Sequence, residues 1–194
     1  LLSPDIEQII AHIYQLSTAY NESVKHTRGA PAPTFLLDGP SGAGKTTLSA
    51  ELEKHWNSAV KLQIVHMDDL YPGWNGLLEG VSTAARMLNE RSAGQDTHWQ
   101  QYDWSQEKLT QWHSVDAREP LLIEGCGALP QGAQNLSQVR LWLDADTELR
   151  RERALSRTGE NFAEHWSDWD AQFEEYVRIH NPQSIATLQV RSTE

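Results

Sequence analysis

"LLDGPSGAGKTTL", Leu36 to Leu48, sets a short apolar run directly before three glycines, a lysine and two threonines. Gly39, Gly44, Lys45 and Thr46 satisfy the pattern G-x-x-x-x-G-K-[ST]. Each position has a physical reason. Glycine permits the backbone angles that turn successive N–H groups toward one point, making a nest for an anion. A helix starting just after the nest adds its positive N-terminal end. A lysine at that point can reach the terminal phosphates of a nucleotide, and a threonine hydroxyl beside it can ligate Mg²⁺. A glycine-rich turn could match by chance, but the required context is present, with an apolar strand before the loop and a helical stretch after it. The run Gly39, Pro40, Ser41, Gly42, Ala43, Gly44, Lys45, Thr46 and Thr47 is therefore read as a nucleoside triphosphate site.

The bulk composition narrows the surroundings of that site. The chain has 194 residues, a formal net charge of −11, 22% charged residues and one cysteine, Cys126. This is globular composition with enough chain for one sizeable core. The acidic balance argues against nucleic acid or an anionic membrane as partner, since both call for a basic surface. It does not oppose a single nucleotide, which local cations and backbone N–H groups can hold. One cysteine rules out an internal disulfide framework and fits a reducing, cytoplasmic setting. No stretch reads as a signal peptide, and no apolar run approaches the roughly 18 residues of a membrane span.

Outward from the loop, apolar strands alternate with helices. "SPDIEQIIAHIYQLSTAY" reads as an opening helix with Ser3 as N-cap, Pro4 in its first turn and Ile6, Ile9, Ile10, Ile13 and Leu16 on one face. "RGAPAP" is a linker into the core. "TFLLD" is the first strand, followed after the loop by a helix from about Lys45 to Trp56. "VKLQIVHMDD" is a second strand ending in acids, and a helix is expected over Leu78–Arg91. "EPLLIEG" and "VRLWLD" are two more strands, and "TELRRERALSR" and "FAEHWSDWDAQFEEYVRIH" two more helices. The polar, Trp-rich region from Trp74 to His113 resists assignment beyond that helix. The expected architecture is α/β, a three-layer P-loop NTPase fold with a central, mostly parallel sheet and a helical arginine lid. Residues 1–194 are read as one domain, with an N-terminal helix in 1–28 and a catalytic core over 34–180.

The loop does not name the reaction. The Asn-Lys-x-Asp motif of GTPases and the Leu-Ser-Gly-Gly signature of transporter ATPases are absent, and the chain is short for a motor or an AAA-type machine. Four features beyond the loop, in order, resemble the uridine kinase-like family of P-loop small-molecule kinases. "VHMDDLYPG" is similar to the family's Asp-x-Phe-Tyr motif through Asp68 and Tyr71, and "QQYDW" to its Tyr-Asp-Phe segment through Tyr102 and Asp103. "PLLIEGCGAL" is similar to its apolar strand ending in Glu-Gly through Glu124 and Gly125. "LDADTELRRERALSR" is similar to its Asp followed by spaced arginines through Asp144, Arg150, Arg153 and Arg157. The chain departs from the family where the arginine helix runs into "RTGE" and where no His follows "YDWSQEKL". The resemblance implies phosphoryl transfer from Mg²⁺-bound ATP to a hydroxyl of a small molecule.

On that basis each candidate residue has a role and a blander competitor. Asp68, at a strand's carboxyl end where ligands gather in such sheets, is the candidate base and a substrate contact; Asp69 is its rival, and a helix cap the plain alternative. Glu124 ends an apolar strand, where an acid is costly unless paired, so it is a metal ligand with Thr46 or half of a buried ion pair. Arg150, Arg153 and Arg157 fall three and four apart on one helix face, able to close over phosphates or simply to pair with nearby acids. "TGENF" after them would belong to the moving lid. Tyr71, Tyr102 and Asp103, with Trp74 and Trp104, could line an acceptor pocket or pack in the core. The expected acceptor is a small molecule, with a nucleoside-like compound first and a sugar acid, vitamin precursor or aminoglycoside-like compound second. A nucleotide-gated regulatory protein without transfer activity is the alternative of another class. The oligomeric state is left open by the sequence.

Overall fold

The alternation within "TFLLD" decides the layering. A computed structural model of the chain describes residues 4–27, 29–56, 60–158 and 160–192. Strand β1, Thr34–Asp38, is buried at every position. Leu36 packs on one side of the sheet with Val65, Ile123 and Trp142. Phe35 and Leu37 pack on the other with Leu122, Leu141 and Leu143. A strand apolar on both faces must be covered on both, which requires helices above and below.

The covering helices are α1 (Pro4–Val24) and α2 (Lys45–Lys54) on the Phe35 side, and α3 (Leu77–Ser92) and α5 (Glu160–His180) on the Leu36 side. Ile9, Ile10 and Ile13 are the buried stripe of α1, in agreement with the period of the sequence. The helix runs to Val24, four residues beyond Tyr20, and the Ser3 cap lies outside the described residues. β2 (Gln63–His66), β5 (Leu121–Glu124), β6 (Val139–Ala145) and β7 (Leu188–Ser192) complete a five-stranded sheet in the order β2-β5-β1-β6-β7, parallel throughout. The carboxyl ends of all strands therefore point one way, and the loop after β1 opens at the same end as the turn after β2, with β5 between them. Helix α4 (Thr147–Thr158) follows β6, and a one-turn α6 (Pro182–Ile185) precedes β7.

Two expectations change. The second strand stops at His66, and Met67–Asp69 form one 3-10 turn. Edge strand β2 pairs only with β5, register Gln63↔Leu121 to His66↔Glu124. Beyond Glu124 the chain turns at Gly125 (φ 139°), leaving Met67 no ladder partner. The unassigned Trp-rich region forms an antiparallel hairpin, β3 (Thr97–Asp103) and β4 (Lys108–Val115), separate from the main sheet. Its strands are mostly half-buried or exposed, with Thr97, Trp99 and Val115 as the buried anchors.

A residue without an assigned role holds the other end of the sheet. Arg91, at the end of α3, is 1% exposed and donates to Thr34 Oγ1 (2.8 Å), Asp116 O (2.8 Å), Ala32 O (3.1 Å) and Glu119 O. Carbonyl and hydroxyl oxygens caging a guanidinium satisfy its fork without a carboxylate partner. Burial lowers its pKa to about 10, so it remains a cation near neutral pH.

Candidate active site

The loop is wedged between β6 and α4, and its glycines are needed for that fit. At Gly39 (φ 146°) a Cβ would stand 1.8 Å from the backbone oxygen of Leu143. At Gly42 (φ 78°) it would stand 2.1 Å from the oxygen of Arg150. Both obstacles are main-chain atoms that cannot rotate away, so any side chain there displaces a strand or a helix. Gly44 caps α2, and the free N–H groups of the first turn face the loop. Lys45, 7% exposed, folds back over the loop: Nζ donates to Gly39 O at 2.7 Å and Pro40 O at 2.9 Å and lies 3.6 Å from Cys126 Sγ. Ala43 is buried, Ser41 Oγ lies 3.5 Å from Cys126 Sγ, and Thr47 is exposed on the first turn of α2.

Thr46 and Glu124 meet across this end of the sheet. Thr46 Oγ1 donates to Glu124 Oε1 at 3.4 Å, and Glu124 is 3% exposed at the close of β5. His66 Nδ1 lies 2.6 Å from the same oxygen. That hydrogen bond raises the His66 pKa, with burial opposing and the charges of Glu124, Asp69 and Asp68 adding to the rise. Among the described residues no cluster of three or more His, Cys, Asp or Glu is arranged to hold a metal. A hydroxyl and one carboxylate are hard oxygen donors, and Mg²⁺ at nucleotide sites takes one or two carboxylates and otherwise water and phosphate. The donor set fits that ion.

Two arginines reach the loop from α4. Arg150, 8% exposed, donates from Nη1 to Ser41 O at 3.4 Å and from Nη2 to Thr147 Oγ1 at 3.4 Å, with Nε 3.9 Å from Asp144 Oδ1. Arg153 donates to Gly42 O (3.5 Å) and Ser192 Oγ (3.4 Å). Arg157 lies on the same helix, but its side chain is outside the described residues, as are the side chains of 158–161 in "TGENF".

The acceptor-side candidates separate. Asp68 is exposed on the turn after β2, and its carbonyl accepts the indole N–H of Trp104 at 2.9 Å. Asp69 Oδ1 accepts from Gln101 Nε2 at 3.1 Å, and Gln101 Oε1 in turn contacts Gln111 Nε2 and His113 Nε2, each at 3.1 Å. Asp69 thereby ties the turn to the hairpin. Tyr71 is not brought to the acceptor face: it is 0% exposed, donates to Cys126 O at 2.6 Å and packs edge-on against Trp169. Aromatic bulk next to an apolar core drew it inward. Asp103 is engaged in the hairpin turn. Its carboxylate accepts from Ser105 N and Oγ and from Gln106 N and Nε2, closing the hairpin turn. Those bonds hold it at about 2. Tyr102 stands edge-on to Trp104 with ring centroids 5.2 Å apart, and Trp104 lies 4.7 Å from Trp74. Trp74 also stacks on His165 of α5 at 4.4 Å.

A strand–loop–helix nest carrying a lysine, a Thr–acid pair and arginines at its rim is the architecture of a P-loop nucleotide site. The AAA domain family model matches residues 36–173. The chain belongs to this family. Two solved structures share the fold of this AAA domain. One is described as a "Possible Uridine Kinase" from Bacillus stearothermophilus, with 15% identity, a TM-score of 0.56 and coverage of 92% of this chain and 98% of that one. The other is a "putative fructose transport system kinase" from Silicibacter sp. TM1040, with 17% identity, a TM-score of 0.55 and coverage of 90% and 98%. At these identities the likeness is one of fold, and it agrees with the resemblance to uridine kinase-like P-loop kinases. No curated protein matches the sequence.

Three residues of this AAA domain were not among the candidates. Asp38, 0% exposed, accepts from Gly39 N (2.6 Å), Gly127 N (2.9 Å), Leu129 N (2.9 Å) and the Tyr176 hydroxyl (2.5 Å). It fastens the start of the loop to the segment after β5 and to α5. Burial pushes its pKa up, against the bonds from Tyr176 and Gly39 and the charge of Lys45. An acid directly after the apolar run Phe35–Leu37 was the available signal. His66 and Gln101 had none, because their partners, Glu124 and Asp69, lie far along the chain on other elements. Among the described residues, no helix is long and apolar enough to cross a membrane.

Proposed function

We propose that the protein is an ATP-dependent small-molecule kinase, moving the γ-phosphate of ATP to a hydroxyl of a nucleoside-like acceptor. The observation that carries this reading is the convergence of Lys45, the Thr46–Glu124 pair, Arg150 and Arg153 on one loop, with Asp68 in the turn after β2 at the same end of the sheet. A nucleotide-gated regulator would use the loop but has no need for an acceptor-side acid and an arginine face together.

In this reading the loop N–H groups and the α2 N-terminus receive the phosphates, and Lys45 exchanges its bonds to Gly39 and Pro40 for phosphate oxygens. Thr46 and Glu124 would hold Mg²⁺, which when bound neutralises charge on the phosphates. Arg150 and Arg153 stabilise charge on the transferring group, and Arg157 joins them if the helix closes as a lid. Asp68 accepts the hydroxyl proton as the acceptor oxygen bonds to phosphorus and the bond to the ADP oxygen breaks. Asp68 is exposed on the turn after β2, whereas Asp69 is half-buried against the hairpin, which favours Asp68 of the two. The aromatic faces of Tyr102 and Trp104 near Asp68 support a planar acceptor. The net charge of −11 supports a small-molecule partner over nucleic acid or membrane.

The test is a panel of nucleosides, vitamins and sugars screened by thermal shift with a non-hydrolysable ATP analogue, followed by ATP consumption assays on the hits. ATP use that rises only with a specific hydroxyl compound is expected. Nucleotide binding with no acceptor-dependent turnover across the panel overturns the kinase reading in favour of the regulator.

A further inference from the structure

The contact of His66 with Glu124 follows from the ladder. In the parallel β2–β5 pairing His66 stands opposite Glu124, both as last residues of their strands. Paired residues of neighbouring strands project to the same side of the sheet, so the imidazole is delivered to the carboxylate by register and not by a flexible reach. Nδ1 lies 2.6 Å from Oε1, and Thr46 Oγ1 lies 3.4 Å from that same oxygen. An ionised carboxylate only accepts, so the hydrogen in this bond belongs to Nδ1. Glu124 is 3% exposed, whereas the His66 side chain is 46% exposed and looks onto a groove of about 410 Å³ shared with Gln63, Trp99 and His113. Little apolar packing depends on His66. What it supplies is a directed bond to a buried acid.

We propose that His66 is a positioning residue for the metal-side carboxylate: its Nδ1–H fixes the rotation of Glu124 so that the carboxylate and Thr46 present their oxygens together to the divalent cation. The inference rests on the Mg²⁺–ATP reading above and goes beyond it by assigning His66 a role. Outer hydrogen bonds of this kind orient ligating groups, and their loss costs about 10–100-fold in metal affinity or activity.

The experiment uses the full chain saturated with a non-hydrolysable ATP analogue and titrated with MgCl₂, following the Mg²⁺-dependent rise in melting temperature. Nucleotide affinity without Mg²⁺ is measured alongside. His66→Ala and His66→Leu should each shift the Mg²⁺ midpoint upward about 10-fold or more, with Mg²⁺-free nucleotide affinity unchanged. His66→Asn, whose amide N–H can take the place of Nδ1, should restore the midpoint. In a Glu124→Gln background, His66→Ala should have no further effect on the midpoint. An unshifted midpoint in the Ala and Leu variants overturns the proposal, as does a shift that Asn does not rescue or that persists in Glu124→Gln. A merely structural role would lower the melting temperature at every Mg²⁺ concentration and leave the midpoint in place. If the unsubstituted protein binds no nucleotide, or binds it without any Mg²⁺ response, the nucleotide-site reading itself fails, which separates that outcome from failure of the His66 role alone.

Discussion

The glycine loop after β1 and the hairpin β3–β4 stand by the same end of the sheet but are held in place by different means. The loop is contiguous in sequence and works through its backbone. Its shape is set by positive-φ glycines at 39, 42 and 44 and by main-chain atoms of Leu143 and Arg150 that leave no room for a Cβ at the first two. The hairpin reaches the site through side chains, with Gln101 on Asp69 and Trp104 on the carbonyl of Asp68. A backbone device tolerates almost no substitution and can be recognised by pattern. A side-chain device can be rebuilt with other residues while the backbone path stays the same.

The largest effect should come from removing the lysine that folds over the backbone device. Lys45→Ala is expected to lower turnover by about 10²-fold or more, the scale of losing a charge aimed at the transferring group, with the circular dichroism spectrum retained. Turnover near that of the unsubstituted protein would remove Lys45 from the phosphate site. Next comes the acceptor side. Asp68→Asn should lower kcat by at least about 10²-fold, the lower end for a general base, and leave ATP affinity by calorimetry nearly unchanged. Asp69→Asn, which removes a charge but keeps an oxygen that can accept from Gln101, should have the smaller effect on kcat. The reverse ranking would exchange the roles of the two acids.

A third substitution probes how the loop is fastened from behind. Tyr176→Phe deletes the hydroxyl that contacts Asp38 and Leu129 O and should cost about 1–2 kcal/mol in denaturant unfolding, since a buried hydrogen bond is lost and an acceptor is left bare. An unchanged denaturation midpoint would show that the backbone N–H groups alone suffice to hold Asp38. The smallest effect belongs to the hairpin turn. Asp103 has a folded pKa of about 2 against an ordinary value of 3.8, so the ionised form is the one favoured by the fold. Its contribution is complete above the ordinary value and is lost as pH falls through the folded one. Amide resonances of Ser105 and Gln106 should move over that acid range in the unsubstituted protein and lack this step in Asp103→Ala. Identical titration of the two proteins would detach Asp103 from the turn.

The sequence reading was strongest where local pattern and burial coincide. β1 and the loop could be read because Phe35, Leu36 and Leu37 form an uninterrupted apolar run and the nest demands glycine. α3 could be read because Leu77, Val81, Ala84 and Leu88 recur at helical spacing. The hairpin could not, since strands such as "THWQQYD" and "KLTQWHSV" bury only a few anchors and carry no clean alternation. β7 was missed because "LQVRS" is short and alternates between half-buried and exposed on an edge. Tyr71 and Asp103 were placed by motif order, which says nothing about where a ring or a carboxylate points.

By itself the sequence determined a P-loop in an α/β sheet, because backbone geometry at glycines and apolar strand content are properties of neighbouring residues. Only the tertiary structure decided that His66 and Thr46 share one oxygen of Glu124, that Asp38 is bound into α5, and that Asp69 holds the hairpin while Asp68 stays exposed. Those contacts join residues 32 to 138 positions apart. Strand order and register brought His66 and Thr46 to Glu124, helix packing brought Tyr176 to Asp38, and hairpin placement brought Gln101 to Asp69; no periodicity along one chain encodes which strand will lie beside which.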